Sequence, residues 1–520
     1  MPFKSFVSLF AIALFCFPLR AQSPSEILPV DMSFGDGGMV ATSFGLGIPG
    51  YASAVVIQPD GKIVTAGRAG VHCALARHNS DGSLDSSFGV GGRVVTVFFG
   101  SGDQAFAIVL QPDGRILVAG TSYPGGRDGQ FVLARYNSDG SLDSSFGVEG
   151  LVVTAFGVGS AGADAIALLP DGNIIAAGGF AYKNQIGIYG PSDFAIVQYH
   201  QDGSLDLSFG EDGMAIIKFI SGNDVATTVI VQPDRKIMAI GTANNAADGM
   251  NFFAAARFNR DGSMDSSFGT HGRFLSDFAG RGGHARAAIL QPDGKIVLAG
   301  DVVVGGLLNH SDFALMRLNP DGGLDSTFGD GGKATIDFSN GIDRDDFEYA
   351  NAVALQRNGK IVLGGLVRGS DGGDFGLARV NSNGAIDTSF GDAGKIAIDF
   401  FHRSDAVQAI AIQDDGKIVA AGAASVDITD EDFVLARFYS SRPMISSGTT
   451  SGKRLIISGS GFEDDAIVLI NGKEQKTIND KQNSAARLIS KKAGKKLRIG
   501  DKIRVLNSDG ALSPEFEFTG

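Results

Sequence analysis

The sequence predicts an all-β protein: a seven-bladed β-propeller closed by an N-terminal strand, followed by a small C-terminal β-sandwich. Three observations carry this. The tripeptide SFG, TFG in the sixth copy, returns with its phenylalanine at Phe34, Phe88, Phe146, Phe209, Phe268, Phe328 and Phe390, 54 to 63 residues apart, so one structural unit repeats at a steady period. Gly makes up 74 of 520 residues without collagen's third-residue period, and falls in turns between short apolar runs, as a many-stranded chain places it. After Tyr439 the repeat stops and a different pattern of alternating apolar runs begins.

The N-terminus has the layout of an export signal over residues 1–21. Lys4 supplies the charged start, 5–17 the apolar core and 18–21 a cleavage segment ending on Ala21. An apolar core of about 13 residues is too short for a bilayer, which needs about 20, so no transmembrane segment is expected in the mature chain. Phe15 and Phe17 crowd Cys16, where a lipid-anchor site takes small residues. The protein is therefore expected to be exported, and to reside in the periplasm, at the cell surface or in the medium. Cleavage leaves Cys73 alone, so no internal disulfide can form and the fold must rest on its core. Within VHCALAR, Cys73 reads as a small buried hydrophobe.

Charge divides the chain. Residues 440–520 carry 14 Lys/Arg against 9 Asp/Glu, and the preceding 439 residues have a net charge of −18. An acidic body argues against nucleic acid, whose phosphates need a basic face. The lysines of the basic segment stand singly or in pairs, as on a solvated surface.

Each period holds four short apolar runs, read as four strands; in the second unit these are 104–111, 115–120, 131–136 and 93–98. Pro112-Asp113-Gly114 joins the first two: Pro presets the turn, Asp bonds its own backbone and Gly accepts positive φ. The longer NSDGSLDSSFG joins the third and fourth. A solenoid of such units would need atypical end caps, and none is present. Instead the first SFG strand, 38–44, lacks a preceding unit, while the last unit, 405–438, lacks an SFG strand after it. The N-terminal strand is expected to complete the last blade, so that the ring leaves only short protected edges.

QPDGKILVAG and NSDGSLDSSFG, recurring in order across 31–439, resemble the bacterial delta-60 repeat family, β-propeller modules for which no activity is implied. The segment 440–520 contains LIISGSGF, an Asn471-Gly472 hairpin turn and RVLNSDGALSP. It resembles the IPT/TIG family, which implies an immunoglobulin-like β-sandwich serving as a spacer or contact module.

Residues needed in every copy are expected to be structural. The Asp of LDSSFG recurs seven times, including Asp85, Asp143 and Asp265; the LAR arginine recurs six times, including Arg77, Arg135 and Arg257, with Gln198 in its place once. A guanidinium fork beside a carboxylate predicts a paired contact or an Asp cap within or between blades, beside the repeated Phe88 and Phe146. The loop from Asn79 to Asp85 also alternates oxygen-bearing side chains, so calcium is its second reading; it lacks the bidentate Glu and carboxylate count of a calcium loop, and the plain Asx turn is preferred. No other cofactor or metal is expected.

Function is sought where the copies differ. The uniform turns share one face of the propeller and the irregular loops 121–130, 180–193, 241–251, 301–312 and 339–349 the other, where binding residues are usually carried. The loop 180–193 is the longest and holds Tyr182 and Tyr189, so it leads as a contact loop. In the first strand one column varies among small apolar neighbours: Ser53, Phe106, Asp164, Thr227, Arg286, Asn351 and Gln408, expected near the central channel. Three places earlier stand Asp103, Asp224, Glu348 and Asp405, read as a partial acidic rim or, the preferred reading, as solvated carboxylates at strand starts. The seven histidines have no metal-binding spacing, and no nucleophile elbow or phosphate loop is present. These readings lean away from an enzyme and toward an exported binding or scaffold protein, its partner an extracellular or cell-envelope glycan or protein. The alternative is a secreted metal-dependent hydrolase, lactonase-like, with its site at the central channel.

Overall fold

The computed structural model of the chain describes residues 29–520 apart from 99–101, 127, 305–309, 340–346, 369–371, 402, 426–430, 442, 464 and 480–485. The export segment 1–21 lies outside the described residues. Those described form nine four-stranded sheets and two short 3₁₀ turns, with no α-helix among them.

Seven sheets are blades. Blade 1 pairs Gly50–Ile57, Ile63–Ala69, His72–His78 and Arg93–Thr96 antiparallel in that order. Blades 2 to 6 repeat it, beginning at Gln104–Leu110, Gly159–Leu168, Val225–Val231, Gly283–Leu290 and Tyr349–Leu355. These first strands pack on one another around the ring, and so line its axis. The first two strands of blade 1 meet at Pro59-Asp60-Gly61, where Gly61 takes φ +82° and Asp60 Oδ1 accepts the Lys62 N–H at 3.2 Å.

The strand at 93–98 belongs to the first blade rather than the second: Arg93–Thr96 pairs with the third strand of blade 1, and blade 2 is finished by Leu151–Thr154. The SFG connection carries the chain outward from its own third strand, so each blade is completed by the strand that follows. Blade 7 therefore lacks an outer strand of its own. Met39–Thr42 supplies it, pairing with Phe433–Ala436 of the last blade. The closure extends upstream, where Asp31 N–H donates to the Arg437 carbonyl at 2.8 Å and Phe34 is fully buried against Val419 and Leu435.

The core is a set of seams. Each buried cluster of the ring draws side chains from two neighbouring blades, as Leu75 and Phe88 of blade 1 meet Val118 and Tyr136 of blade 2. Cys73 lies in that seam, fully buried, and burial pushes its thiol up to about 12. The last two sheets pack face to face in a C-terminal sandwich around Leu455, Ile457, Val468, Leu488, Ile503 and Val505. Ser440 joins it to the ring: its N–H donates to Asp509 of the sandwich at 2.8 Å, and its carbonyl accepts from Arg379 of blade 6.

Candidate functional site

The repeated polar residues form a lock between blades. In blade 1, Arg77 donates through Nε to Asp85 Oδ2 at 2.8 Å, through Nη2 to Ser87 Oγ at 3.3 Å and through Nη1 to the Ser138 carbonyl of blade 2. Its guanidinium carbon stands 4.5 Å from the centre of the Phe88 ring, a cation–π contact. Arg135 with Asp143 and Phe146, and Arg257 with Asp265 and Phe268, repeat the arrangement. Burial disfavours the Asp85 charge, but bonds from Ser87, Lys62 and Arg77 outweigh it and hold the carboxyl far below its usual range. Both oxygens of Asp85 are thereby engaged. Asp81 Oδ1 accepts the Ser83 N–H at 2.9 Å and its hydroxyl at 2.7 Å, the bonds of an Asx turn.

The variable column has a different origin. In all seven first strands the pairing with the second strand slips by one residue at the same place, and the residue left out of register is Ser53, Phe106, Asp164, Thr227, Arg286, Asn351 or Gln408. A bulge leaves its extra residue unpaired and re-aims the side chain. All seven then line one central cavity of about 500 Å³, together with Tyr51, Arg68 and Gln104. The second strand answers each bulge with a glycine: Gly67, Gly120, Gly178, Gly241, Gly300, Gly365 and Gly422. A Cβ there would lie 1.7–2.0 Å from a first-strand carbonyl oxygen. The small residue before each bulge, such as Ala52, Ala105 or Ala285, is buried in the seam.

Part of this lining ties neighbouring first strands together. Gln104 donates to Ser53 at 3.4 Å, Thr227 to the Ala285 carbonyl at 3.1 Å and Asn351 to the Val407 carbonyl at 2.9 Å. Other groups remain open to the cavity. Asp164, Gln408 and Arg68 have no hydrogen-bond or ion-pair partner among the described residues, and burial pushes the Asp164 carboxyl up to about 7. Arg286 donates through Nε to Asp301 Oδ1 at 2.7 Å and stacks 4.5 Å from the Tyr349 ring centre. The other oxygen of Asp301 pairs with His284 Nδ1 at 2.8 Å, and His284 Nε2 meets Asn251 Nδ2 at 2.8 Å. Beside this group the cavity continues into a second space of about 380 Å³, lined by Asn244, Asn251, His284 and Arg286 among others.

The four strand-start carboxylates form neither an acidic rim nor a solvated set. Asp103, Asp224, Glu348 and Asp405 are at most 3 % exposed, and each accepts a backbone N–H from the phenylalanine that ends the preceding blade: Phe98, Phe219, Phe338 and Phe400, at 2.7–2.9 Å. They clamp the crossover from one blade to the next. Asp164 lines the channel cavity, whereas Asp224 is buried at the crossover. The loop 180–193 also differs from expectation. It extends the middle hairpin, from Ile174–Lys183 to Tyr189–Tyr199, because Asn184 Oδ1 accepts from Ile186 and Ile188 and closes a tight turn. Tyr189 bonds Asp128 of blade 2 through its hydroxyl, while Tyr182, Ile186 and Ile188 are exposed. Neither tyrosine reaches the cavity lining.

Seven segments, 58–88, 111–146, 169–209, 232–268, 291–328, 356–390 and 413–440, match the family model described as domain of unknown function (DUF5122) beta-propeller. The chain belongs to a β-propeller repeat family. Each matched segment runs from the first turn of a blade to the phenylalanine of its SFG motif, except the last, which ends at Ser440. A comparison with curated proteins finds no match. Among solved structures, a protein of unknown function from Dyadobacter fermentans DSM 18053 is similar at 10 % identity and a TM-score of 0.42, covering 77 % of this chain and 98 % of that one. An ulvan lyase of polysaccharide lyase family PL25 is similar at 10 % identity and a TM-score of 0.44, covering 77 % and 96 %.

Within this repeat, the lining residues Tyr51, Arg68, Gln104 and His284, and Asp301 and Tyr349, which hold Arg286, are found only in the folded chain. Tyr51, Gln104, His284 and Tyr349 stand two places before a bulge, on the same face of the strand, so the period of two was the available signal. Arg68 and Asp301 pair with Tyr51 and His284 from the second strand, which needs the register to be known. Away from the channel, Asp312, Asp337 and Glu348 bring carboxylate oxygens within 4.8 Å of one another where blades 5 and 6 meet. Glu348 is already bonded to Phe338 N–H, and Asp337 to Ser339.

Proposed function

We propose that the chain is an exported binding protein that takes a polar ligand in the central channel, through the face that carries the irregular loops. The sandwich acts as a spacer or contact module, in keeping with its IPT/TIG-like sequence. The observation that carries this reading is the set of seven bulges, which deliver seven unlike side chains into one cavity of a ring that is otherwise repetitive. Its volume lies within the roughly 300–1,000 Å³ of small-molecule sites. The lining mixes hydroxyl, amide, guanidinium and aromatic groups, which suits a glycan of the cell envelope or its surroundings. Support for export is the composition of residues 1–21.

A glycan array probed with the full mature chain tests this, alongside Thr227→Trp and Gln408→Trp, which fill the channel from two sides. Glycan binding that disappears in both variants while melting is unchanged is the expected result. Binding retained in both would place recognition elsewhere and sink the reading.

A further inference from the structure

We propose that the channel ligand carries a carboxylate, as a uronic acid residue does, and that Arg286 receives it. This rests on the channel reading above and narrows it. Arg286 is a prepared fork. Its Nε is held by Asp301, its plane lies on Tyr349, and Asp301 is itself fixed by His284 and Asn251. The two terminal nitrogens have no protein acceptor among the described residues, and Arg286 lines both spaces of the cavity. A guanidinium with its two ends free and its rotation locked matches the planar, two-oxygen geometry of a carboxylate, and little side-chain freedom is lost when the bond forms.

The charges around it favour a monoanion. Arg68 and Arg286 are the cations of the cavity wall; Asp301 stands behind Arg286, and Asp164 is the one carboxylate among the lining residues. With its carboxyl pushed up to about 7 by burial, Asp164 is partly protonated near neutral pH and can donate. The wall then holds one net positive charge with Asp164 protonated and none with it ionised, in a protein whose formal net charge is −13. A phosphate dianion would be overbalanced there and would meet Asp164 as it ionises. The rest of the lining fits the body of a sugar: Tyr51 and Phe106 offer flat apolar faces, and Gln408 an amide for hydroxyls.

Calorimetry and saturation-transfer NMR on the full mature chain would use D-glucuronate and D-galacturonate, their neutral counterparts D-glucose and D-galactose, and inorganic phosphate. Wild-type protein should bind at least one uronate about tenfold or more tightly than its neutral counterpart, and phosphate should not displace it. Arg286→Gln should weaken uronate binding by about tenfold or more, the loss of a charge-assisted pair, with Arg286→Lys in between because a point charge replaces the fork. Equal binding of uronate and neutral sugar would overturn the carboxylate while leaving the channel reading standing, and this comparison needs no variant to fold. Absence of uronate binding, or displacement by phosphate at equal concentration, also overturns it. Uronate binding that survives Thr227→Trp and Gln408→Trp would overturn both.

Discussion

Blade 3 lacks the lock that six other blades possess, and Gln198→Arg should supply it. At the six arginine seams the guanidinium bonds the LDSSFG carboxylate at 2.6–2.8 Å and a carbonyl of the next blade. Gln198 keeps only the first of these, Nε2 to Asp206 at 2.6 Å, and its Oε1 is buried without a hydrogen-bond partner. The seam is bridged instead by Arg260 and Asp171 at 2.9 Å, a solvent-exposed pair of the kind worth about 0–1 kcal/mol. Arginine would remove an unsatisfied buried acceptor, a defect of about 1–3 kcal/mol, and add a charge-assisted bond across the seam. Against this stand the desolvation of a new charge and roughly 2 kcal/mol of side-chain entropy. The net expectation is a gain of about 1–2 kcal/mol. In a ring of this length that moves the melting midpoint by only about 1–2 °C, so urea midpoints and hydrogen exchange at the seam are the better assays. The reciprocal Arg257→Gln should cost about 2–3 kcal/mol, less than the 3–5 of a stranded charge, because Lys236 still meets Asp265 at 2.8 Å. A Gln198→Arg protein with lowered stability, together with a neutral Arg257→Gln, would refute the lock.

Other consequences follow from the same contacts. Gly300→Ala would set a Cβ 1.7 Å from the His284 carbonyl oxygen, and should cost about 3 kcal/mol or more in urea unfolding; a cost under about 1 kcal/mol would show that the bulge relaxes freely. Deleting 32–44 removes the closing strand and Phe34, and should abolish the cooperative melt seen by calorimetry, whereas an unchanged transition would deny the closure any role. For pH, Asp164 and Asp405 are each pushed up to about 7 by burial, so the folded state binds more protons than the unfolded one between about 4 and 7, and stability falls as pH rises through that window. Asp164→Asn should flatten part of that fall, raising stability at pH 8 by about 1–2 kcal/mol with little change at pH 4. The lock carboxylates, held low, act the other way: their contribution is present above about 3.8 and is lost in stronger acid. Because both oxygens of Asp85 and Oδ1 of Asp81 are already taken by Ser87, Arg77, Lys62 and Ser83, melts in calcium and in chelator should superimpose.

The ring and its closure are legible in the sequence for a physical reason. A blade cannot bury its faces alone, so every copy must keep the turn, the lock and the apolar seam, and the repeated residues announce themselves. The variable column is legible for the opposite reason: Ala52 and Ala54, or Ala285 and Ala287, must stay small, which isolates the residue between them. The carboxylates at 103, 224, 348 and 405 are misread because a strand-start acid looks the same whether it meets solvent or caps an incoming backbone. What separates the two is the path of the crossover, which only the folded chain supplies. The hairpin at 180–193 is misread because its turn hangs on Asn184, one residue in a stretch whose Gly and Pro otherwise suggest a loop.

A bulge explains how a rigid repeat can carry a changeable site. The extra residue stands outside the ladder and outside the seam, so its side chain bears little of the fold's stability, while the glycine opposite and the small residues beside it bear much. The lock and its uniform turns lie at the opposite end of the blades from the pair of residues that includes His284 and Asp301. Changes at Phe106, Asp164, Arg286 or Gln408 can thus alter what the channel accepts without loosening the ring, whereas Thr227 and Asn351 also bond the neighbouring blade. Arg286 is the instructive case among them. Its charge would be costly in a cavity built only to be filled, and it is held in place by Asp301, His284 and Tyr349 with two nitrogens left open. Such a residue is better explained by something it receives than by anything it supports.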